Sequence, residues 1–429
     1  MLIGEELSEG SSLYSGLWDS IGPLSALVYN TIDYMFGRSQ LTYQILAYLL
    51  VCFQVYVFNS TLITNKAFSE NTYIPGFIYA LLCSLCYDMM TLTPFLMGLT
   101  FVLLAINKVF NHIEFRAKRD EDILNIGLYL GLATIIYLPF CLLALSTLFV
   151  FIFFTGTVGR RYVMMVFGFS LPVLLSGSYF YITDRFDDFL YLFFSPFTVI
   201  DRVWYISFRD TLFLFSVPIL FLALSLIRIL QGARLTNYQN RLTRAMFVWM
   251  IFSLLFIVFS DQNSPAVYII LAPVAAFYLS HYFLIFKKKK LLELAFFTFF
   301  GLVVFTNIVS VKSPNWVKPY FNDQSYLINK DEYKDLEGLR ILVLDDDLRP
   351  YYYAKPATPF LNWQVSQEIF NNLDYYDNLT KLYEGMMNDK PEIIIDRHNV
   401  MPAVFEKIPA LRSMYFLSRD GYYHLNVNN

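Results

Sequence analysis

The side chains able to do chemistry in this chain are few and widely spaced. Asp19 stands in Trp18-Asp-Ser-Ile-Gly-Pro23, just ahead of an amphipathic run, where a carboxylate can also serve as a helix N-cap by accepting backbone N–H bonds. Asp88, in Tyr87-Asp-Met-Met-Thr-Leu-Thr-Pro94, sits at the end of a helix pair. An ionisable group at that depth is a functional candidate by default, with a solvated turn residue as the plain alternative. Arg185, Arg202 and Arg209 share one loop with Asp184, Asp187, Asp188 and Asp201. An arginine there can clamp a lipid phosphate through paired N–H bonds, or simply pair with the acids beside it. Tyr268 lies where an interfacial aromatic belt also predicts a tyrosine. Cys83-Ser-Leu-Cys86 has CxxC spacing, but both thiols fall in an apolar run with no further Cys or His nearby, so neither a redox nor a zinc site is expected. His281, His398 and His424 have no ligand spacing, and Asp345-Asp-Asp347 after a strand reads as a solvated turn. No metal or other cofactor is expected.

These residues are set in a chain of 429 residues that is 56% hydrophobic and only 16% charged, with a mean hydropathy of +0.47. That composition excludes an ordinary soluble globule. Aromatic residues reach 19%, which suits lipid-facing surfaces and interfacial belts. The net charge of -3 gives no footprint for nucleic acid. The first 40 residues are polar and amphipathic, with no basic stretch leading an apolar core, so no cleavable signal peptide is expected.

Apolar runs of spanning length, roughly 20 residues, predict about ten membrane helices. They fall near 41–58, 73–87, 91–110, 124–138, 139–154, 162–181, 211–230, 245–260, 266–286 and 291–309. The fourth and fifth share one apolar stretch broken at Pro139, which predicts a tight hairpin. Orientation follows from the four adjacent lysines 287–290, which cannot lie in hydrocarbon and mark a cytoplasmic loop. Arg116, Lys118 and Arg119, then Arg160 and Arg161, then Arg228, Arg234, Arg241 and Arg244, mark the other cytoplasmic loops in consistent alternation. The opposite face then holds residues 1–40 with an interfacial amphipathic helix near 24–36, and the loop 183–210. It also holds the tail 313–429. In the tail, Arg340-Ile-Leu-Val-Leu-Asp345 and Glu392-Ile-Ile-Ile-Asp396 read as strands. The stretches 363–373 and 378–388 read as helices, which predicts a small α/β domain. The expected division is 1–40, a membrane domain 41–312, and an extracytoplasmic domain 313–429.

Three stretches carry a resemblance to the GT-C superfamily of membrane glycosyltransferases, most of all its bacterial mannosyltransferase and aminoarabinose-transferase-like branch. Leu7-Ser-Glu-Gly10 followed by Leu13-Tyr-Ser-Gly-Leu-Trp-Asp19-Ser-Ile-Gly-Pro23 is similar to that branch's first outer loop. Tyr268-Ile-Ile-Leu-Ala-Pro273 is similar to the opening of a late helix. Arg340-Ile-Leu-Val-Leu-Asp-Asp-Asp347, Pro356-Ala-Thr-Pro-Phe360 and Lys390-Pro-Glu-Ile-Ile-Ile-Asp396 are similar to its outer domain. The resemblance covers most of the chain. It implies transfer of a sugar from a polyprenyl-phosphate donor to an acceptor at the outer face of the bacterial inner membrane. Asp19 or Asp88 would stand near the acceptor hydroxyl as general base or orienting group. Arg185 or Arg202 would hold the departing phosphate, and Tyr268 would touch the donor. Membrane lipid and envelope proteins are the other partners implied.

The chain also departs from that pattern. The branch carries an Asp-Glu pair after a first helix, upstream of the first matched stretch, and Glu5 and Glu6 stand at a different spacing. Asp261-Gln-Asn-Ser-Pro265 replaces the basic residue that commonly precedes the tyrosine of the late helix. Two readings follow: an enzyme whose first helix lies ahead of Met1, or a catalytically inactive relative acting as a scaffold or binding subunit of an envelope complex. A transporter fits less well, because no helix carries a buried charge pair or the paired Gly/Pro breaks of a midplane site.

Overall fold

The computed structural model describes residues 1–113, 119–156, 158–198, 202–231, 235–284, 289–312 and 332–426. Arg116, Lys118, Asp201, Arg234, Lys287 and Lys288, named above for orientation or pairing, lie outside the described residues. The chain divides into two compact units. One gathers Met1–Ser39, Tyr179–Val203 and Tyr326–Asn429, and the other Gln40–Ser178 and Trp204–Ser325.

The helices, in chain order, are α1 (Leu2–Ser8), α2 (Pro23–Phe36), α3 (Gln40–Thr64), α4 (Ile74–Cys83), α5 (Pro94–Ile113), α6 (Asp120–Ile136), α7 (Cys141–Phe154), α8 (Gly159–Ile182), α9 (Phe186–Phe193) and α10 (Ser195–Thr198). There follow α11 (Phe208–Leu230), α12 (Asn237–Val258), α13 (Ala272–Leu284), α14 (Lys289–Lys312), α15 (Trp363–Asn371), α16 (Tyr376–Asn388), α17 (Met401–Lys407) and α18 (Pro409–Arg412). Among the described residues, 7 are long and apolar enough to cross a membrane: α3, α5, α8, α11, α12, the run Pro265–Leu284, and α14. Ile74–Cys83 and Leu138–Phe154 are shorter apolar segments. The protein is a multi-pass membrane protein.

Local chemistry sets several of the helix ends. The apolar stretch read as two helices parts at Tyr137, which is extended (φ -157, ψ 122) and followed by a 3-10 turn Leu138–Phe140. Pro139 has no N–H to donate to the Ile135 carbonyl and its ring would clash with that carbonyl, so α6 cannot run on through it. α4 ends at Cys83, earlier than its apolar run, and the chain turns through a 3-10 segment, Tyr87–Met90, before α5. The late span opens as a 3-10 helix, Pro265–Leu271, and becomes α-helical only at Ala272. Pro273 has no N–H to offer the carbonyl four residues earlier, which favours the tighter entry.

Two features lock the membrane unit. Gln54 is fully buried and donates to the Leu96 carbonyl and to Thr100 Oγ1, both at 2.8 Å, while accepting from Tyr79 Oη at 2.7 Å. One amide thus ties α3, α4 and α5 together with every polar atom satisfied, as an apolar solvent demands. α6 and α8 meet backbone to backbone: a Cβ on Gly127 would lie 2.1 Å from the Met165 carbonyl oxygen, and one on Gly168 2.4 Å from that of Leu124.

In the other unit the tail forms a five-stranded sheet. Its strands are β1 (Arg340–Leu344), β2 (Lys355–Pro356), β3 (Ile393–Asp396), β4 (Tyr415–Leu417) and β5 (Tyr423–Leu425), in spatial order β2-β1-β3-β5-β4. β1 runs parallel to β2 and β3, with Ile341, Leu342 and Val343 opposite Ile393, Ile394 and Ile395. β5 is antiparallel to both its neighbours. Near-continuous apolar strands fit a sheet covered on both faces. Leu17 joins the core beneath it, and Leu2 and Ile3 of α1 pack against that core. The N-terminal segment is stitched to the tail by backbone: Trp18 N–H donates to the Pro359 carbonyl at 2.8 Å, and Asn362 N–H to the Trp18 carbonyl at 3.3 Å.

Candidate functional site

Each unit carries its own cluster of candidate residues. In the membrane unit the centre is Asp88, on the 3-10 segment Tyr87–Met90. Thr91 fixes that turn by donating from its hydroxyl to the Asp88 carbonyl at 2.5 Å. Asp88 Oδ2 accepts the N–H of Ala266 at 3.1 Å. Ala266 is in the first turn of the 3-10 helix that opens the late span, where backbone N–H groups have no partner within the helix. The carboxylate therefore does the work of a cap supplied from another element. Loss of hydration raises the Asp88 pKa above its ordinary value, and the Ala266 N–H bond opposes the rise. Oδ1 makes no hydrogen bond among the described residues, and the side chain is only partly buried.

Around that turn the polar groups are paired with one another. Tyr137 Oη donates to Asp261 Oδ1 at 2.7 Å and accepts the Asp261 N–H at 3.1 Å. Tyr268 Oη donates to Asn263 Oδ1 at 2.8 Å, and its ring lies against Phe215 with centroids 4.7 Å apart. Asn263 Nδ2 in turn reaches the Ile206 carbonyl at 3.3 Å. Asp88 and Tyr268 are thus brought to one short segment, through Ala266, although 180 positions separate them in sequence.

Asp19 belongs to the other unit. Its Oδ1 accepts the Ile21 N–H at 2.9 Å, which closes an Asx turn two residues long. The expected N-cap is not made: α2 is entered through Gly22 with Pro23 in its first turn, and Asp19 lies three residues too early to reach the helix N–H groups. The turn is backed by Tyr14, which is fully buried with φ 71 and donates from its hydroxyl to the Ile21 carbonyl at 2.7 Å.

Beside Asp19, Trp18 is packed edge-on against Tyr191 of α9 and Phe360, with Lys381 Nζ 5.8 Å from its ring centroid. Tyr191 Oη donates to Glu368 at 2.8 Å. Burial raises the Asp188 pKa, and the nearby charge of Lys381 pulls it back. Sequence reading missed this group, because Lys381 and Glu368 sit on tail helices whose register against Trp18 leaves no mark in the local pattern. Arg185 precedes α9 and is half-buried. Arg202 is half-buried too, and neither arginine has a carboxylate within ion-pair distance among the described residues.

No known family model matches the sequence, and neither does any curated protein sequence. Solved structures do match. The chain is similar to ArnT from Cupriavidus metallidurans bound to undecaprenyl phosphate, with a TM-score of 0.55 and 12% identity, over 99% of this chain and 91% of that one. It is also similar to the Archaeoglobus fulgidus oligosaccharyltransferase tethered by a disulfide bond to an acceptor peptide containing the NVT sequon. That match has a TM-score of 0.50 and 11% identity, over 100% of this chain and 69% of that one. At such identities it is architecture alone that is shared, and that architecture is GT-C-like.

Proposed function

We propose that this protein transfers a sugar from a polyprenyl-phosphate donor to an acceptor hydroxyl at the outer face of the bacterial inner membrane, with residues 1–40 and the tail on that face. The observation that carries the reading is Asp88: a partly dehydrated carboxylate held by a single backbone N–H, with its second oxygen unengaged among the described residues. Dehydration raises basicity, which is what a general base for a hydroxyl requires. The acceptor oxygen would attack the anomeric carbon as its proton passes to Asp88. The carbon–phosphate oxygen bond would break with inversion, and the carrier phosphate would leave with the electron pair. Arg185 and Arg202 are the candidates to neutralise that phosphate, because neither is committed to a carboxylate among the described residues. Asp19 is the alternative to Asp88 in the role of base, and Tyr268 would touch the donor. Binding of undecaprenyl phosphate by the similar ArnT structure supports a lipid-linked donor.

A second reading has its own support. Asp88 and Asp19 both have structural duties, on Ala266 and Ile21 respectively. A scaffold or binding subunit that kept the fold and lost the chemistry would need no more. Asp88→Asn separates the two readings, because the amide oxygen still accepts the Ala266 N–H but cannot take a proton. Under the enzyme reading, sugar transfer to surface glycan falls by about 10²–10⁴ while membrane abundance is kept. Wild-type glycan in both Asp88→Asn and Asp19→Asn cells would leave the scaffold reading standing.

A further inference from the structure

A groove in the membrane unit is not used by the chemistry proposed above. It has a volume of about 330 Å³ and is walled by Gln44 and Tyr48 of α3, Ser84 and Tyr87 after α4, and Val304 and Asn307 of α14. These residues stand at the first turns of α3, the turn after α4 and the last turns of α14, so the groove lies at one end of the spans. Its α14 wall runs from Val303 to Val311, about 12 Å at 1.5 Å per residue, which fits within the roughly 15 Å hydrocarbon depth of a single leaflet. Tyr48 and Tyr87 are 56% and 51% exposed, open to whatever surrounds the spans.

We infer that this groove holds an acyl chain and the adjoining ester of a bilayer glycerophospholipid. The deep wall is valine and leucine, which suits hydrocarbon. Its polar groups are amides, hydroxyls and one thiol with no net charge, and among the described residues no Lys, Arg, Asp or Glu lines it. Asn307 Nδ2 already donates to the Ser84 carbonyl at 2.5 Å, leaving the Gln44 amide and the tyrosine hydroxyls as donors for an ester carbonyl. In a glycerophospholipid the ester lies between chain and phosphate, so the phosphate stays beyond the wall. A polyprenyl phosphate carries its phosphate directly on the first prenyl unit, and with that unit at the ester's position would press a dianion against a wall that holds no cation among the described residues. The wall therefore selects acyl lipid over the carrier.

The test uses the full chain reconstituted in vesicles of phosphatidylethanolamine and phosphatidylglycerol doped with undecaprenyl phosphate. It is then extracted into mild detergent, and the lipid it retains is identified by mass spectrometry. Val304→Trp fills the groove, and Leu302→Trp, on the same helix but outside the lining, is the control. The expected result is glycerophospholipid retained by wild type and Leu302→Trp, and about tenfold less by Val304→Trp. Equal retention in Val304→Trp, or loss of undecaprenyl phosphate alone, overturns the inference. Should Val304→Trp fail to fold, a benzophenone side chain at Tyr48 replaces it, with Tyr56, 71% exposed on the same helix, as control. After detergent washing, an acyl-lipid adduct at position 48 and none at 56 supports the site, and equal adducts refute it. None of these outcomes depends on sugar transfer.

Discussion

Replacing Glu6 with Gln should make the stability of the protein less dependent on pH. Glu6 lies on α1, three and four residues from Ile3 and Leu2, which pack against the core of the tail sheet, and it is 7% exposed. The cations nearby are already taken: Arg38 pairs with Glu5 at 3.0 Å, Lys355 with Glu9, and Arg340 with Asp389. Glu6 keeps a long hydrogen bond from Ser11 at 3.4 Å and has no ion pair among the described residues. Burial, reinforced by the charge of Glu9 and opposed by Arg340, raises its pKa from 4.5 to about 7. A raised carboxyl favours the protonated form in the fold. Its contribution is therefore complete below pH 4.5 and lost as pH rises through about 7. At 1.36 kcal/mol per unit the loss is at most about 3 kcal/mol. Gln keeps the shape and stays neutral, so at pH 8 Glu6→Gln should gain up to that amount and at pH 4.5 nothing. Thermal unfolding of both proteins in detergent from pH 4.5 to 8.5 checks this through the difference between the two curves. A difference that does not change with pH would show that Glu6 is ionised in the fold, and would refute the reasoning.

The remaining predictions concern the two units separately. Gln54→Leu leaves the buried Tyr79 hydroxyl without its acceptor and should cost about 1–2 kcal/mol, with Gln54→Leu/Tyr79→Phe recovering most of it in denaturant titration. Gly127→Val places carbon 2.1 Å from the Met165 carbonyl oxygen and should abolish the monodisperse peak in size-exclusion chromatography, whereas Gly301→Val, with nothing within 4 Å, should not. Arg397 bridges Asp345 and Asp347 at 2.9 Å each but is partly exposed, so Arg397→Met should cost about 1 kcal/mol, and less in high salt. The Asp347 pKa is held below its ordinary value by Arg349 and Arg397 against the effect of burial. Its contribution is present at neutral pH and lost as pH falls from the usual carboxylate value down through the lowered one, a loss that Arg397→Met should reduce.

What could be read from the sequence was whatever depends on local pattern. The apolar runs became helices because a backbone in hydrocarbon must satisfy its own hydrogen bonds, whatever its neighbours do. Arg340-Ile-Leu-Val-Leu and Ile393-Ile-Ile-Asp became parallel strands because short apolar runs rich in Ile and Val suit a buried strand, and the amphipathic run after Pro23 became α2. Illegible were the places where a distant partner decides. α4 stops at Cys83 inside an apolar run, since the following turn is held by Thr91 and by the reach of Asp88 to Ala266. Trp18 and Pro359 bond across 341 positions, a pairing no window of sequence contains. Asp19 was legible as a residue with a backbone duty, but whether it served a cap or an Asx turn rested on three residues of register.

The two carboxylates are not equivalent as bases, and the difference lies in what each would surrender. Asp19 holds its own loop: protonating it weakens the Asx turn to Ile21, next to Trp18, on which the contact between the N-terminal segment and the tail depends. Asp88 holds a neighbouring helix start through Oδ2 alone, and a carboxylic acid can still accept that N–H while a proton rests on Oδ1. A base that can be protonated without releasing its support is the one able to cycle. The same asymmetry makes Asp88→Ala the more damaging change, since it leaves the Ala266 N–H unpaired at a cost of about 1–3 kcal/mol. Asp88→Asn should unfold at nearly the wild-type temperature and Asp88→Ala several degrees lower. If Asn and Ala destabilise alike, the Ala266 bond depends on the charge, and Asp88 is a cap before it is a base.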